Sequence, residues 1–296
     1  MKRASGQAVF RLIGVLAAAV GMTGMVACGA PARPVHMAAR PLHLAIRSRG
    51  TSGAAEPATM QSPRPSAASA SPSARGASHP PEAAAPAAVV CPAAPYGPLR
   101  YAPGSGRTVA LTFDDGPGGS TAAILAVLAS YGVPATFFNI GTNMAARPAL
   151  ARQEAAAGYV LGDHTWDHPN MALLSAGSQS AELDRMTAEQ HTLLGTMPCL
   201  FRPPYGDYNS TTLTLAQQRR MTLWLWSVDT QDWMANGSGS SYWVQRIIRL
   251  AETEGGQLSN PVVLMHNAPA GDPATVSALP TIIQFFRSRG YTFVAL

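Results

Sequence analysis

From residue 107 to the C-terminus, short apolar runs rich in β-branched residues alternate with longer segments whose apolar positions recur at helical spacing. Bounded apolar runs of this length are typical of buried strands, and the longer periodic segments are typical of helices. We predict strands at 108–113, 134–139, 159–162, 199–202, 221–228, 261–265 and 291–295. We predict helices at 120–130, 144–156, 179–195, 210–219, 241–252 and 274–289.

Strands that alternate with helices at this spacing indicate parallel strands joined by crossover helices. The fold class predicted is therefore α/β. Seven strands favour a distorted seven-stranded (β/α) barrel, one unit short of the familiar eight-stranded form. We assign this domain to residues 99–296 and expect a disordered leader and linker before it.

The first 27 residues have the pattern of an export signal. A basic start is followed at 12–26 by an apolar stretch that is shorter than the roughly 20 residues of a membrane-spanning helix. Met25-Val26-Ala27-Cys28-Gly29 resembles a bacterial lipoprotein signal, in which Cys28 would be acylated and would tether the chain to the membrane. The alternative is an ordinary secretory peptide cleaved nearby, and both interpretations predict export.

Residues 28–98 are rich in proline, alanine and serine, and thirteen of the 25 prolines lie there. Such a segment has too few apolar side chains to offset the entropy lost on folding, so we predict a disordered linker. As a flexible coil it would span roughly 45–50 Å root-mean-square. A linker of this length would let a tethered domain reach the cell wall.

The formal net charge of +5 is unevenly distributed. Residues 1–100 carry ten of the 21 basic residues and two of the 16 acidic residues, which makes this part +8 and leaves the remainder at −3. A nucleic-acid-binding domain would concentrate basic residues on its own folded surface. The distribution therefore excludes nucleic acid as the expected partner, and no feature predicts a protein partner.

Three cysteines suit an exported protein. If Cys28 carries lipid, Cys91 and Cys199 remain as an even pair in an oxidising compartment, and we predict a disulfide between them. The alternative is two unpaired thiols, one of them buried.

Polar residues follow several predicted strands at the point where each strand ends. They are Asp114 and Asp115 after the first strand, His164 and His168 after the third, Arg202 at the fourth, Asp229 at the fifth and His266 at the sixth. In a β/α barrel the carboxyl ends of the strands converge on one site. We therefore expect these side chains to meet there.

Asp115, His164 and His168 form a candidate metal site. The two histidines are four residues apart, and a carboxylate with two imidazoles suits Zn²⁺ or a similar divalent ion with a position left open for water. A histidine pair at this spacing is a weak signal alone, because surface histidines often fall four apart. The carboxylate and the strand-end position strengthen it, so we expect one divalent metal ion, Zn, with Co or another transition metal as the alternative.

Five segments resemble, in order, the motifs of the polysaccharide deacetylases, also called carbohydrate esterase family four or the NodB-homology domain. They are Thr112-Phe113-Asp114-Asp115-Gly116-Pro117, His164-Thr165-Trp166-Asp167-His168, Arg202-Pro203-Pro204-Tyr205, Asp229-Thr230-Gln231-Asp232-Trp233 and Leu264-Met265-His266. The resemblance covers about residues 105–296. It implies that Asp115, His164 and His168 are the metal ligands.

The resemblance also implies roles for the other strand-end residues. Asp114 would be the general base that activates water, and Arg202 would pair with Asp114, orient it and keep it ionised. His266 would be the general acid that protonates the leaving amine. Asp229 would orient His266 and raise its pKa.

Three further positions complete the implied site. The backbone N–H of Tyr205 would stabilise the oxyanion, and Trp233 and Leu264 would line a pocket for the acetyl methyl group. Purely structural interpretations exist for several motif residues. They are a turn pair for the two aspartates, a structural ion pair between Arg202 and Asp229, and core packing for Trp233. The family commonly has an acidic residue where this chain has Asn267.

These features predict a metal-dependent hydrolase that deacetylates N-acetylglucosamine units of a polysaccharide. The expected substrate is peptidoglycan, another envelope glycan or a chitin-like polymer, and the expected location is the extracellular face of the membrane, the cell wall or the medium. The alternatives are an O-deacetylase of acetylated xylan and a non-catalytic wall-binding module.

Overall fold

The computed structural model describes residues 91–296, so the export signal, Cys28 and most of the predicted linker lie outside the described residues. The strands are β1 Thr108–Gly116, β2 Thr136–Asn139, β3 Val160–Asp163, β4 Leu200–Phe201, β5 Thr222–Leu223, β6 Val228–Asp229, β7 Val262–His266 and β8 Thr292–Phe293. The helices are α1 Thr121–Tyr131, α2 Gly141–Ala146, α3 Pro148–Ala156, α4 Ala176–Leu194, α5 Ser210–Gln218, α6 Ser241–Gly255 and α7 Pro273–Ser288. Within residues 91–296 no helix has both the length and the apolar character needed to cross a bilayer.

Seven strands form one parallel sheet in the order β5-β4-β3-β2-β1-β7-β6, and β8 pairs with the beginning of β1. The edge strands β5 and β6 are neighbours in the chain, so the sheet must curl to bring its two edges together. The connection between them bonds to the strand next to each edge: Trp224 N–H donates to the carbonyl of Phe201 in β4, and Ser227 N–H donates to the carbonyl of Val262 in β7. The prediction of a distorted seven-stranded barrel is confirmed.

Two predicted elements are each divided in the structure. The predicted strand 221–228 is two short strands, because the chain leaves one edge of the barrel and joins the other within it. The predicted helix 144–156 is interrupted before Pro148, where Arg147 has φ −134° and ψ 56°. A proline disfavours helical backbone in the residue before it, and it is well suited to the first position of a new helix.

The folded domain extends further toward the N-terminus than residue 99. Leu99 exchanges backbone hydrogen bonds with Leu223 and Leu225, and Tyr101 forms an antiparallel bridge to Pro261. Cys91 is buried and forms a disulfide with Cys199, just before β4. Contacts with the barrel thus begin before the predicted boundary at 99, and the disulfide predicted from the cysteine count is present in the structure.

The alternation of side chains along β1 fixes where its polar residues point. Val109, Leu111 and Phe113 pack into the main core with α1 and α7, and the ring of Phe113 stacks on Phe137 at 5.1 Å. Because successive strand residues face opposite sides, Thr112 and Asp114 face the interior of the barrel instead. Asp114 is the last inward position before the turn that follows β1, and it therefore lies at the open end of the barrel.

We predict that the disulfide contributes substantially to stability, because it closes a loop between residues 108 positions apart. Changing both Cys91 and Cys199 to Ser should lower the free energy of unfolding by about 2–5 kcal/mol, measured by urea denaturation. Reductant should lower the stability of the wild-type protein by a similar amount and should leave the double variant unchanged. Equal stability of the oxidised wild type and the double variant would contradict this prediction.

Candidate active site

The carboxyl ends of the strands surround a cavity of about 410 Å³. It is lined by Asp114, Asp115, His164, His168, Tyr205, Trp226, Asp229, Trp233, Leu264 and His266. Nine of these ten residues were predicted from the sequence. Trp226 was not predicted, because it lies in the short crossing between β5 and β6 that the sequence does not reveal.

Asp115, His164 and His168 offer donor atoms that all lie within 4.8 Å of one another. Asp115 Oδ1 is 3.5 Å from His164 Nε2 and 3.2 Å from His168 Nε2, yet this buried oxygen accepts no hydrogen bond of good geometry. Burial favours a neutral carboxyl, but the two imidazoles outweigh burial and hold the pKa of Asp115 far below its ordinary value. An ionised oxygen left without a hydrogen bond beside two imidazole nitrogens suits a divalent metal ion.

Hydrogen bonding fixes the tautomer of His164. Its Nδ1 lies 2.6 Å from the carbonyl oxygen of Arg202. A carbonyl can only accept, so Nδ1 carries the proton and Nε2 presents its lone pair to Asp115 and His168. A ligand imidazole that is oriented in this way by a backbone carbonyl is a common feature of metal sites.

The loops that carry the ligands adopt left-handed backbone conformations. Asp115, Thr165 and His168 have φ values of 71°, 69° and 66°. Such residues cost about 1–3 kcal/mol each and persist where neighbouring groups hold them. The side chain of Asp163 accepts from Thr165 N–H at 2.7 Å, and Asn143 Nδ2 donates to the carbonyl of Asp115 at 2.8 Å. These contacts hold the turns that aim the ligands at one point.

Asp114 pairs with Arg202, as the sequence predicts. Arg202 Nη1 lies 2.7 Å from Asp114 Oδ1 and 2.9 Å from Thr112 Oγ1, and the guanidinium covers the ring of Phe138 at 4.1 Å. Arg202 has no exposed surface, and burial lowers its pKa although Asp114 opposes this. The purely structural alternative, an ion pair between Arg202 and Asp229, is wrong.

His266 is held by Asp232 and not by Asp229. His266 Nδ1 lies 2.7 Å from Asp232 Oδ1, and His266 N–H donates to Asp232 Oδ2 at 2.8 Å. The same Oδ2 accepts from Thr275 Oγ1 at 2.6 Å. The predicted role of Asp229 is therefore corrected: Asp229 lines the cavity, and its Oδ1 accepts from Gln231 N–H at 2.8 Å.

The turn after β6 explains the correction. Gln231 has a left-handed φ of 55°, and the single helical turn Asp232–Ala235 that follows directs Asp232 back toward β7. Spacing in the sequence cannot reveal such a reversal. The sequence offered one signal for the partner of His266: a second carboxylate, Asp232, directly before Trp233. Thr275, which comes from α7, had no signal in the motifs.

The Asp232 carboxylate determines the charge of His266. Burial disfavours the imidazolium form, but the ion pair with Asp232 outweighs burial and raises the pKa of His266 to about 10. The imidazole is therefore protonated at neutral pH, as a general acid requires.

The residues expected to contact substrate also border the cavity. Trp233 is 56% exposed and Leu264 is buried, so together they form a wall with one accessible aromatic face. Tyr205 has a left-handed φ of 61°, and its ring contacts the His168 ring at 4.7 Å between centroids. The core-packing alternative for Trp233 is wrong.

Comparison with known proteins agrees with this geometry. The family model for polysaccharide deacetylase matches residues 102–224. The solved structure of the Bc1960 peptidoglycan N-acetylglucosamine deacetylase is similar, with 33% identity and a TM-score of 0.61 over 67% of this chain and 89% of that chain. This chain belongs to the polysaccharide deacetylase family. The family resemblance predicted from the motifs is thereby confirmed.

Two relatives in the polysaccharide deacetylase family are longer than this chain. The peptidoglycan-N-acetylglucosamine deacetylase PgdA of Listeria monocytogenes is 32% identical over 64% of this chain, which covers 38% of the PgdA sequence. The bifunctional xylanase/xylan deacetylase of Cellvibrio japonicus is 33% identical over 62% of this chain, which covers 26% of that protein. The chain therefore spans well under half the length of these two relatives.

We predict that Asp232→Asn lowers the pKa of His266 by more than one unit from about 10, because burial then acts without the ion pair and only the weaker attraction of Asp114 and Asp115 opposes it. Asp229→Asn should leave that pKa within about one unit of the wild-type value, because Asp229 does not bond to the imidazole. NMR titration of the His266 ring in the metal-free protein measures both effects. An equal or larger shift in the Asp229 variant would contradict the assignment.

Proposed function

We propose that this protein is a metal-dependent hydrolase that removes acetyl groups from N-acetylglucosamine units of a polysaccharide. The supporting observation is that three kinds of group border one cavity: the metal-ligand set, Asp114 held by Arg202, and His266 held by Asp232. Hydrolysis of an amide needs a strong nucleophile and a protonated leaving group. This arrangement supplies a base for the first requirement and an acid for the second.

Zn²⁺ is the proposed ion, with Co²⁺ or another transition metal as the alternative, because two imidazoles and one carboxylate suit such ions. Asp115, His164 and His168 would hold it. When bound, it would supply Lewis-acid chemistry by lowering the pKa of water and polarising the acetyl carbonyl.

Asp114 acts as the general base through Oδ2. Its other oxygen, Oδ1, is engaged by Arg202, which fixes the plane of the carboxylate. Oδ2 lies 3.8 Å from His164 Nε2, so it faces the metal-ligand set and accepts a proton from the attacking water there. The oriented ion pair keeps the base in place throughout the reaction.

His266 acts as the general acid through Nε2. Its Nδ1 is committed to Asp232, so the proton on Nε2 is the one available for the nitrogen of the leaving amine. Tyr205 N–H stabilises the oxyanion, and Trp233 and Leu264 form the wall against which the acetyl methyl packs.

The substrate proposed is peptidoglycan, another envelope glycan or a chitin-like polymer, supported by the names of the Listeria and Bc1960 relatives. The export pattern of residues 1–27 supports action at the extracellular face of the membrane or in the cell wall, and acylation of Cys28 is the proposed tether. O-deacetylation of acetylated xylan is the second candidate, supported by the name of the Cellvibrio relative.

A substrate panel tests this proposal. We expect the purified protein to release acetate from chitin oligomers and peptidoglycan, and a chelator should abolish release until Zn²⁺ or Co²⁺ is restored. Acetate release from acetylxylan alone would favour the second candidate. Full activity after exhaustive chelation would contradict the metal dependence.

The Asp114→Asn variant tests the role of Asp114 as the general base. It also distinguishes an enzyme from a non-catalytic wall-binding module. It should lower kcat by about 10²–10⁴-fold, the usual contribution of a general base, while the bound metal stays close to that of the wild type. The melting temperature should fall, because the buried Arg202 loses its charged partner, so kcat is compared at a temperature where both proteins are folded. Asp184→Asn is the matched control, because Asp184 is an exposed residue of α4. Undiminished turnover in the Asp114 variant would disprove the mechanism.

A further inference from the structure

A buried carboxyl lies beneath the catalytic strand ends, and the mechanism above does not use it. Glu154, in α3, has no exposed surface. Its Oε2 accepts from Asn139 Nδ2 at 2.6 Å, and its Oε1 accepts from Asn267 Nδ2 at 3.3 Å. No salt bridge among residues 91–296 involves Glu154. A buried carboxyl without a cation is costly, so its retention requires a reason.

The two partners of Glu154 lie on either side of β1. Asn139 is the last residue of β2, and Asn267 directly follows β7, while β1 lies between these strands in the sheet. Glu154 therefore joins the ends of the two strands that flank Asp114 and Asp115.

Asn267 also contacts the catalytic segment directly. Its backbone N–H donates to the carbonyl of Asp114 at 2.9 Å. A Cβ added at Gly116 would overlap the carboxamide of Asn267, so the turn after β1 rests directly on that side chain. Displacement of the Asn267 carboxamide would therefore displace the turn.

A second path leads to the same turn. Asn267 Nδ2 donates to Thr121 Oγ1 at 3.0 Å, and Thr121 Oγ1 accepts from Gly118 N–H at 2.7 Å. Burial raises the pKa of Glu154 to about 8, although hydrogen bonds from both asparagines oppose this. Gln has the same shape as Glu but carries one acceptor oxygen and one NH₂ group, so Glu154→Gln exchanges an acceptor for a donor at one of the two contacts.

We infer that Glu154 is a positioning residue: through Asn139 and Asn267 it fixes the turn after β1 and so the places of Asp114 and Asp115. The predicted effect of Glu154 on turnover rests on the proposed function, whereas its predicted effect on the turn after β1 is independent of that function. The competing interpretation is that Glu154 only attaches α3 to the sheet and contributes to stability alone.

An exchange of carboxyl and carboxamide tests the inference. Asn267→Asp places two carboxyls 3.3 Å apart and should lower kcat. Adding Glu154→Gln restores one carboxyl and one carboxamide across the same contact. Asn139 then donates to the Gln oxygen, and the Gln nitrogen donates to Asp. We expect kcat of the double variant to recover to within about threefold of wild type. Small displacements of catalytic groups lower the rate strongly, and restoring the contact returns Asp114 and Asp115 to their places.

Glu154→Met removes the carboxyl and keeps the length of the side chain. We expect kcat to fall about 10-fold or more with KM changed less than about twofold, because the catalytic groups shift while the substrate-binding wall does not. Gln190→Met is the matched control: Gln190 is a buried polar residue of α4, away from the cavity. It should leave kcat unchanged, whatever its effect on the melting temperature.

Hydrogen exchange of the metal-free full-length protein gives a measurement independent of activity. Amides of residues 114–121 should exchange faster in Glu154→Met than in wild type and at the wild-type rate in Gln190→Met. If wild type deacetylates no substrate, the proposed function fails, and hydrogen exchange alone still decides the role of Glu154.

Two outcomes would overturn the inference. One is a Glu154→Met protein with a lowered melting temperature but wild-type kcat and wild-type exchange at residues 114–121. The other is a double variant no more active than Asn267→Asp. If Glu154→Met does not fold, the comparison of Asn267→Asp with the double variant decides the question.

Discussion

A single buried residue, Arg202, connects the base to the metal-ligand set. Its guanidinium binds Asp114 Oδ1, and its backbone carbonyl accepts from His164 Nδ1. Removing one partner of a buried ion pair typically costs about 3–5 kcal/mol, because the remaining charge is left without compensation. The end of β4 therefore fixes two side chains at once: the carboxylate of Asp114, which is the proposed base, and the imidazole of His164, which is a proposed metal ligand. The curled sheet serves this arrangement by bringing β4 across the barrel from β1.

Strain is concentrated at the same strand ends. Asp115, Thr165, His168, Tyr205 and Gln231 all have left-handed backbone conformations, and each lies at or shortly after the carboxyl end of a strand. Each turn redirects the chain within one or two residues, which an extended strand followed directly by a helix cannot do. The surrounding hydrogen bonds offset this cost, and the result is a set of side chains that is already aimed before any substrate arrives.

Alternating apolar runs and helical periodicity predicted most strands and helices, because burial of one face of a strand or helix produces a periodic pattern of apolar residues. The strand ends predicted six of the ten residues that line the cavity, and the family resemblance implied three more, Tyr205, Trp233 and Leu264. Three features of the structure have no such pattern in the sequence. The crossing between β5 and β6 depends on closure of the barrel, the choice of Asp232 over Asp229 depends on one left-handed residue, and the pairing of Glu154 with two distant asparagines depends on tertiary packing. None of these can be obtained from local spacing.

The position of Asp232 follows from the charge balance of the site. In the metal-free protein, Asp114 and Asp115 add to the attraction that keeps His266 protonated. A divalent cation held by Asp115 would offset their contribution and repel the imidazolium, so the direct contact with Asp232 would then be the main attraction that keeps the proton on His266. Asp232 makes this contact with Oδ1 on the imidazole and Oδ2 held by a backbone N–H and by Thr275, so that the acid keeps its proton beside a cation. This contact is what would let the proposed metal site and a protonated imidazole share one small cavity.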